Sequence, residues 1–299
     1  MYTRGMAVRK VGVRRGRQAK RYPIAYWSHS SLVSYLRNPL AWYKRYVLKI
    51  YDTPTSPAAV VGVAGHVAME HFYQGFTKEQ ATEAGLLHIR SVPDDEINLG
   101  VAKTRAAKKA RRAGMERDYL QAVGFYLARP PRHKVLGVEV SGMGSVPGLP
   151  LPVKAISDLV VESRTDPGKV DIVDHKFVES FSKSGPDKPL FMLQAIFNYY
   201  TVRELFGREP AWFHVYECKK GKNKDGKKQL RKYSIRYDES QEAFEVFHRL
   251  LRDATAEILS RRTFLPNPSD MFEGEDSFAL YRLRLTESEP PARVQSRRR

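Results

Sequence analysis

At Lys134 the apolar residues stop recurring at a helical period and begin to alternate, and this switch constrains the fold more than any other feature of the chain. Alternating runs over residues 135–141, 151–162 and 169–178, punctuated by Gly, Pro, Ser and Asp, read as three consecutive antiparallel strands. Residues 190–206 return to helical spacing and stop at Gly207, a helix C-terminal cap. Two further strands fit 211–218 and 229–237. A long amphipathic helix fits 239–262, with Phe244, Phe247, Leu250, Leu251, Ile258 and Leu259 turned inward.

Upstream of the switch the pattern is helical. Dense aromatic and apolar residues begin near Tyr22, a short helix fits 30–37, and Asn38 and Pro39 supply the N-cap and first position of a second helix running through Val47. Residues 52–57 are rich in Pro and Thr and read as a loop. Helix resumes at about Gly62 and carries His66 and Glu70. Residues 77–132 form a basic helical insertion. Its charge-dense block at 103–117 reads as a solvated face or as a nucleic-acid clamp. The organisation expected is a basic flexible tail over 1–21, one domain over 22–286 and a disordered basic tail over 287–299.

The charge balance names a partner class. Fifty-one Lys and Arg against 33 Asp and Glu give a net charge of +18, a field that attracts a polyanion and makes nucleic acid the leading partner. The turn after residue 218 presents Lys219, Lys220, Lys222 and Lys224 as candidates to grip a phosphate backbone. Near the start, Trp27, Tyr35, Trp42, Tyr43 and Tyr46 lie among Arg37, Lys44 and Arg45. Core packing is the expectation for most of these rings, with Trp27 and Tyr43 as base-stacking exceptions. The single cysteine, Cys218, permits neither an intrachain disulfide nor a Cys-ligated cluster. No membrane span or secretory segment stands out, so a cytoplasmic protein is expected, in a bacterial, archaeal or phage-infected cell. The acid-free stretch 1–21 leaves an organellar transit peptide as the less economical alternative.

Acidic residues are organised within this basic chain. In VDIVDHK, residues 170–176, Asp174 and Lys176 are two apart and share one face of a strand. The preceding strand carries Asp158 and reaches the same place if the two strands pair through the turn at 162–169. Two carboxylates and a divalent ion can place a water in line with a leaving oxygen and offset transition-state charge. Asp158, Asp174 and the backbone carbonyl of His175 are the candidate oxygen ligands, and Lys176 is the group that orients or deprotonates the water. His66 and Glu70, at i and i+4 on one helical face, are candidates to approach the same ion.

The order of these elements is a helix with GHVAMEHF, a strand with Asp158, a strand with Asp174-x-Lys176 and a helix with Gln194. In it the chain resembles the RecB-like branch of the PD-(D/E)XK nuclease superfamily, which includes CRISPR-adaptation-type and phage exonucleases. SHSSLVSYLRNPLAWYKRY is similar to that branch's first helical motif, and VAGHVAMEHF to its Gly-x-x-x-His helix. The resemblance implies an α/β (α+β) fold: a central mixed sheet flanked by helices, a restriction-endonuclease-like core with a helical insertion.

It also implies a metal-dependent deoxyribonuclease, an exonuclease on single strands or DNA ends in repair, recombination or phage genome processing. His66, Asp158 and Asp174 would be metal ligands, Lys176 catalytic, Gln194 a helper and Glu70 a weaker candidate. The ion expected is Mg²⁺ or Mn²⁺, the imidazole favouring manganese. Two alternatives are a nucleic-acid-binding protein on a nuclease fold and a nuclease subunit working with a helicase or recombinase partner. Two departures matter. Asn38 stands where some relatives have an iron-sulfur cysteine, so no cluster is expected, and Asn198 stands where relatives have Tyr.

Overall fold

The structure, a computed structural model, describes residues 22–51, 53–183, 189–223, 229–260 and 263–267. The expected tails and Lys224 lie outside them. The helical half opens with β1 (Trp27–Ser28), α1 (His29–Arg37) and α2 (Pro39–Trp42), which continues as a π-helical turn over Tyr43–Val47. Then come α3 (Pro57–Tyr73), α4 (Lys78–Ser91) and α5 (Arg105–Ala128). The second half is β2 (Val135–Gly144), β3 (Val153–Glu162), β4 (Val170–Val178), α6 (Pro189–Phe206), β5 (Pro210–Lys219), β6 (Leu230–Arg236) and α7 (Gln241–Ser260).

Local chemistry sets the boundaries. Asn38 caps α2, its Oδ1 accepting from the Ala41 N–H at 3.1 Å, with Pro39 in the first turn. α3 starts five residues before the expected Gly62, because Ser56 accepts from the Ala59 N–H at 3.2 Å and Pro57 takes the first helical position. The Pro-rich segment is therefore partly a helix start. Thr77 and Gln80 form a reciprocal capping box that opens the helical insertion.

Six strands form one mixed sheet, and its order creates the site. β2 pairs antiparallel with β3 from Val153 to Val161, which occupies one edge of β3 along nearly its whole length. The other edge is shared: β1 runs parallel to it at Val153 and Lys154, and β4 runs antiparallel to it from Leu159 to Glu162. Residues 155–158 of β3 therefore face a gap. β4 then pairs parallel with β5, and β5 antiparallel with β6.

Alternation along β3 and β4 sends Leu159, Val161 and Val173 to the face covered by α3 and α5, and Val160, Val170 and Ile172 to the face covered by α6. A third apolar cluster joins β1, α1 and α2 to α6 and α7, and the Trp27 indole ties its two ends by donating to Thr255 Oγ1 at 2.9 Å. Among the described residues no helix is long and apolar enough to cross a membrane.

Cys218 is 1% exposed in the α3–α5 cluster, and burial pushes its thiol up to about 12. A neutral thiol without solvent access is a poor nucleophile. The native protein is thus expected to resist a thiol-specific reagent and to react only on unfolding, which intact-mass spectrometry reads directly.

Candidate active site

The gap beside β3 gathers the acidic residues. Because the β3–β4 ladder stops at Leu159 and Val173, the next residue of β3 offers its side chain where a backbone partner would stand. Asp158 Oδ2 accepts the backbone N–H of His175 at 2.6 Å. In an extended strand a residue's N–H and C=O leave on the same side, so the His175 carbonyl also faces the gap.

α3 brings His66 Nδ1 to 3.2 Å from Asp158 Oδ2. Gln194 of α6 donates to Asp174 Oδ1 at 2.7 Å, and Lys176 Nζ lies 2.9 Å from Asp174 Oδ2 and 3.0 Å from its Oδ1. Asp158, Asp174, Lys176, His66 and Gln194 thus meet at one place.

Glu70 does not join them closely. It lies a turn beyond His66, and its Oε1 accepts from the Gln74 amide at 3.1 Å. The third acidic group is Glu139 on β2, absent from the sequence-derived set. Val138 and Val140 pair with Leu159 and Ser157, which sets Glu139 across from Asp158. One ligand atom each from His66, Glu139 and Asp158 fall within 4.8 Å of one another. Glu139 also has φ of 47°, in the left-handed region that costs a side-chain-bearing residue about 1–2 kcal/mol. An imidazole and two carboxylates gathered at such cost fit a divalent cation: the donor set is right in kind, and the gap leaves the His175 carbonyl free of β3.

The electrostatics agree with a crowded anionic pocket. Burial raises the Glu139 carboxyl to about 7, and the charge of Asp158 adds to that rise. Burial likewise raises Asp174 and outweighs the opposing pull of Lys176. Asp158 goes the other way: burial opposes its charge, but His66 and the His175 N–H hold it below the carboxylate range. Lys176 is raised, because Asp174 and Asp158 outweigh the cost of burying its charge. His29, at the head of α1, lies close enough to Lys176 to be depressed to about 4, mostly by burial. Nothing in its sequence context marks it.

Asn198 turns out to brace the site. Its side chain donates to the Gln194 carbonyl at 2.8 Å and accepts from Ser157 Oγ at 2.6 Å, tying α6 to β3 beside both Gln194 and Asp158. Tyr199 packs against Tyr237 and Phe244 and donates to Glu209.

Close packing positions His66. A Cβ on Gly65 would fall 2.3 Å from the Phe177 ring, which meets the His66 imidazole edge-on at 5.6 Å. Gly65→Ala is expected to cost about 1–3 kcal/mol by overpacking and to displace the imidazole. A lowered denaturant midpoint together with weaker metal binding would register both effects.

Several expected nucleic-acid contacts need correction. Trp27 is 1% exposed, and Tyr43 is 6% exposed and stacked on Phe264 at 4.6 Å. Both serve the core, where no base reaches them. Lys220 is 3% exposed, its ammonium 3.3 Å from Glu179 Oε1 and 3.2 Å from the Ala58 carbonyl oxygen, so it holds α3 against the end of β5. Lys219 donates to Asn223 Oδ1, and Lys222 is exposed. The exposed rings are others. Tyr26, Arg45, Tyr46, Tyr51 and Lys154 line a groove of about 490 Å³ that also reaches Gln194.

The sequence model of the PD-(D/E)XK nuclease superfamily matches residues 26–271. No curated protein matches the chain. A solved structure titled "Crystal structure of SSO0001" aligns with 76% of this chain and 82% of its own, at 15% identity and a TM-score of 0.28.

Proposed function

Because the chain belongs to the PD-(D/E)XK nuclease superfamily, and is thereby a metal-dependent nuclease, we propose that it is a deoxyribonuclease working as an exonuclease on single strands or strand ends. The observation that carries this reading is the convergence of Asp158, Asp174, Lys176, His66, Glu139 and Gln194 on one gap in the sheet. The participation of the His66 helix favours the RecB-like branch of the superfamily.

His66, Glu139 and Asp158 would hold the ion, with Asp174 and the His175 carbonyl adjoining; it would be Mg²⁺ or Mn²⁺, the imidazole favouring Mn²⁺. A bound divalent ion supplies Lewis acidity toward the phosphodiester and offsets its negative charge. Lys176 contributes a fixed positive charge at the mouth of the gap, where 29% of its side chain remains exposed, and orients the attacking water. Gln194 keeps Asp174 in place, and Asn198 keeps Gln194 and Asp158 in register across α6 and β3.

The groove that meets Gln194 supports a single-stranded substrate. Tyr51 is 65% exposed and Tyr26 37%, while the Arg45 guanidinium lies 5.5 Å from the Tyr51 ring centre and the Lys154 ammonium 5.2 Å from that of Tyr26. Rings alternating with cations accept bases by stacking and phosphates by charge, without reading sequence. Repair, recombination or phage genome processing are the settings in which such an activity serves.

End-labelled linear and closed circular single-stranded DNA, incubated with Mg²⁺ or Mn²⁺, test the proposal together. Loss of nucleotides from the linear strand with the circle intact is the expected result. Cleavage of the circle would overturn the exonuclease reading, and failure to cleave either with either ion would overturn the enzyme as a stand-alone nuclease.

A further inference from the structure

The same strands hold a second cavity at their other end. Asp171 is three residues from Asp174, so strand alternation sends the two side chains to opposite faces, about 10 Å apart along β4. On Asp171's side a cavity of about 380 Å³ lies beyond the reach of α5. Arg132 and His133 of the α5–β2 linker, Glu162 at the end of β3, Arg164 of the β3–β4 turn, and Asp171, Trp212 and Lys232 of β4, β5 and β6 line it.

Its groups are incompletely satisfied in a directional way. Asp171 is 6% exposed, and its Oδ1 is buried without a hydrogen-bond partner, while its Oδ2 lies 3.6 Å from His214 Nε2. Buried polar atoms almost always have partners, so a carboxylate oxygen left without one, on a residue that lines a cavity, points to a donor supplied from outside the chain. His133 Nε2 is a second buried atom without a partner. The Trp212 ring is fixed as a wall: its Nε1 donates to Thr165 Oγ1 at 3.0 Å, and the Arg236 guanidinium sits 5.0 Å from its centre.

Each simple occupant fails one of these groups. A bare cation suits Asp171 but is repelled by Arg132, Arg164 and Lys232, and a bare anion suits those three but not the buried Asp171, while the second lining carboxylate, Glu162, is already paired with Lys134 at 2.8 Å. A molecule with N–H donors on a flat ring at one end and negative charge at the other satisfies both. Adjacent ring N–H and amino donors are a property of guanine among the common bases.

We propose that this cavity binds a guanine nucleotide, its N–H and amino edge donated to Asp171, its ring beside Trp212 and its phosphate held by Arg164 and Lys232. The nucleotide is either free or the terminal residue of a strand. The inference stands on this cavity alone and does not depend on the nuclease reading.

Trp212 supplies the probe, because the other two tryptophans, Trp27 and Trp42, are buried in the core at 1% and 0% exposure. Intrinsic fluorescence of the full chain is titrated in EDTA, so that nothing is cleaved. The ligands are GMP, AMP, guanosine, inorganic phosphate, and single-stranded oligonucleotides ending in dG or dA. Saturable quenching by GMP, at least about tenfold tighter than by AMP or phosphate, is expected, with an Asp171→Asn loss of about tenfold or more.

Lys232→Ala is expected to weaken GMP but not guanosine, and this variant tests the phosphate end even if Asp171→Asn fails to fold. Quenching by GMP marks a free nucleotide. Quenching by only the dG-ended strand marks a strand end. The proposal is overturned if guanine and adenine ligands bind alike, if Asp171→Asn folds and binds as the parent does, if Lys232→Ala leaves GMP affinity unchanged, or if nothing quenches.

Discussion

Lys176→Ala is expected to slow phosphodiester cleavage by about 10²–10⁴-fold, the range typical for removing one positioned charge or proton-transfer group from an active site. The ammonium contacts both oxygens of Asp174, a carboxylate that is 5% exposed. Its removal leaves that buried charge with the Gln194 amide, so a loss of thermal stability should accompany the kinetic one. Single-turnover cleavage of a labelled strand separates the chemical step from binding. Lys176 is one cation in a chain of net charge +18, and strand affinity should hardly change. A variant that cleaves within tenfold of the parent would remove Lys176 from the chemistry.

Glu139 offers an experiment in which stability and function move apart. Its φ of 47° and its raised carboxyl are both costs borne by the apo fold. Glycine adopts that backbone conformation freely and carries no charge, so Glu139→Gly is expected to gain about 1 kcal/mol of stability, read as a higher melting temperature. The same change removes one of three candidate ligands. Calorimetric titration with Mn²⁺ should show affinity reduced by at least about tenfold, and metal-dependent cleavage should fall with it. Glu139→Gln keeps the backbone cost and removes the charge, so it should lose metal affinity without the gain in melting temperature. Unchanged metal affinity in both variants would show that the strain serves something other than a cation.

Much of this site is legible in the sequence because it follows from short periods. Asp174 and Lys176 share a face by strand alternation. His66 lies on a helix whose Gly65 admits the Phe177 ring, and Gln194 falls on the helix that closes at Gly207. Glu139 was not legible: in GVEVSG it reads as an ordinary alternating residue, and its role depends on the β2–β3 register and on a backbone conformation that no local pattern announces. Register is a long-range property, fixed by which apolar faces are buried. The aromatic residues failed for a related reason. Spacing puts Trp27, Tyr43 and Tyr46 in one region, but which ring turns inward depends on α7 and on Phe264, more than two hundred residues downstream. Lys220 shows the converse, a lysine in a basic turn whose stem is buried and whose head is paired.

The tandem sharing of one edge of β3 by β1 and β4 gives the molecule an edge in its interior. Sheets normally expose unpaired amides at their rims, and those amides exchange with solvent while central ones are protected. Here the amides within residues 155–158 that turn away from β2 belong to a strand paired on both sides above and below, yet they open onto the gap. Hydrogen–deuterium exchange should therefore draw the cleft as a short, fast-exchanging window inside an otherwise protected strand. A ligand that fills the gap would close that window without changing the rest of the map.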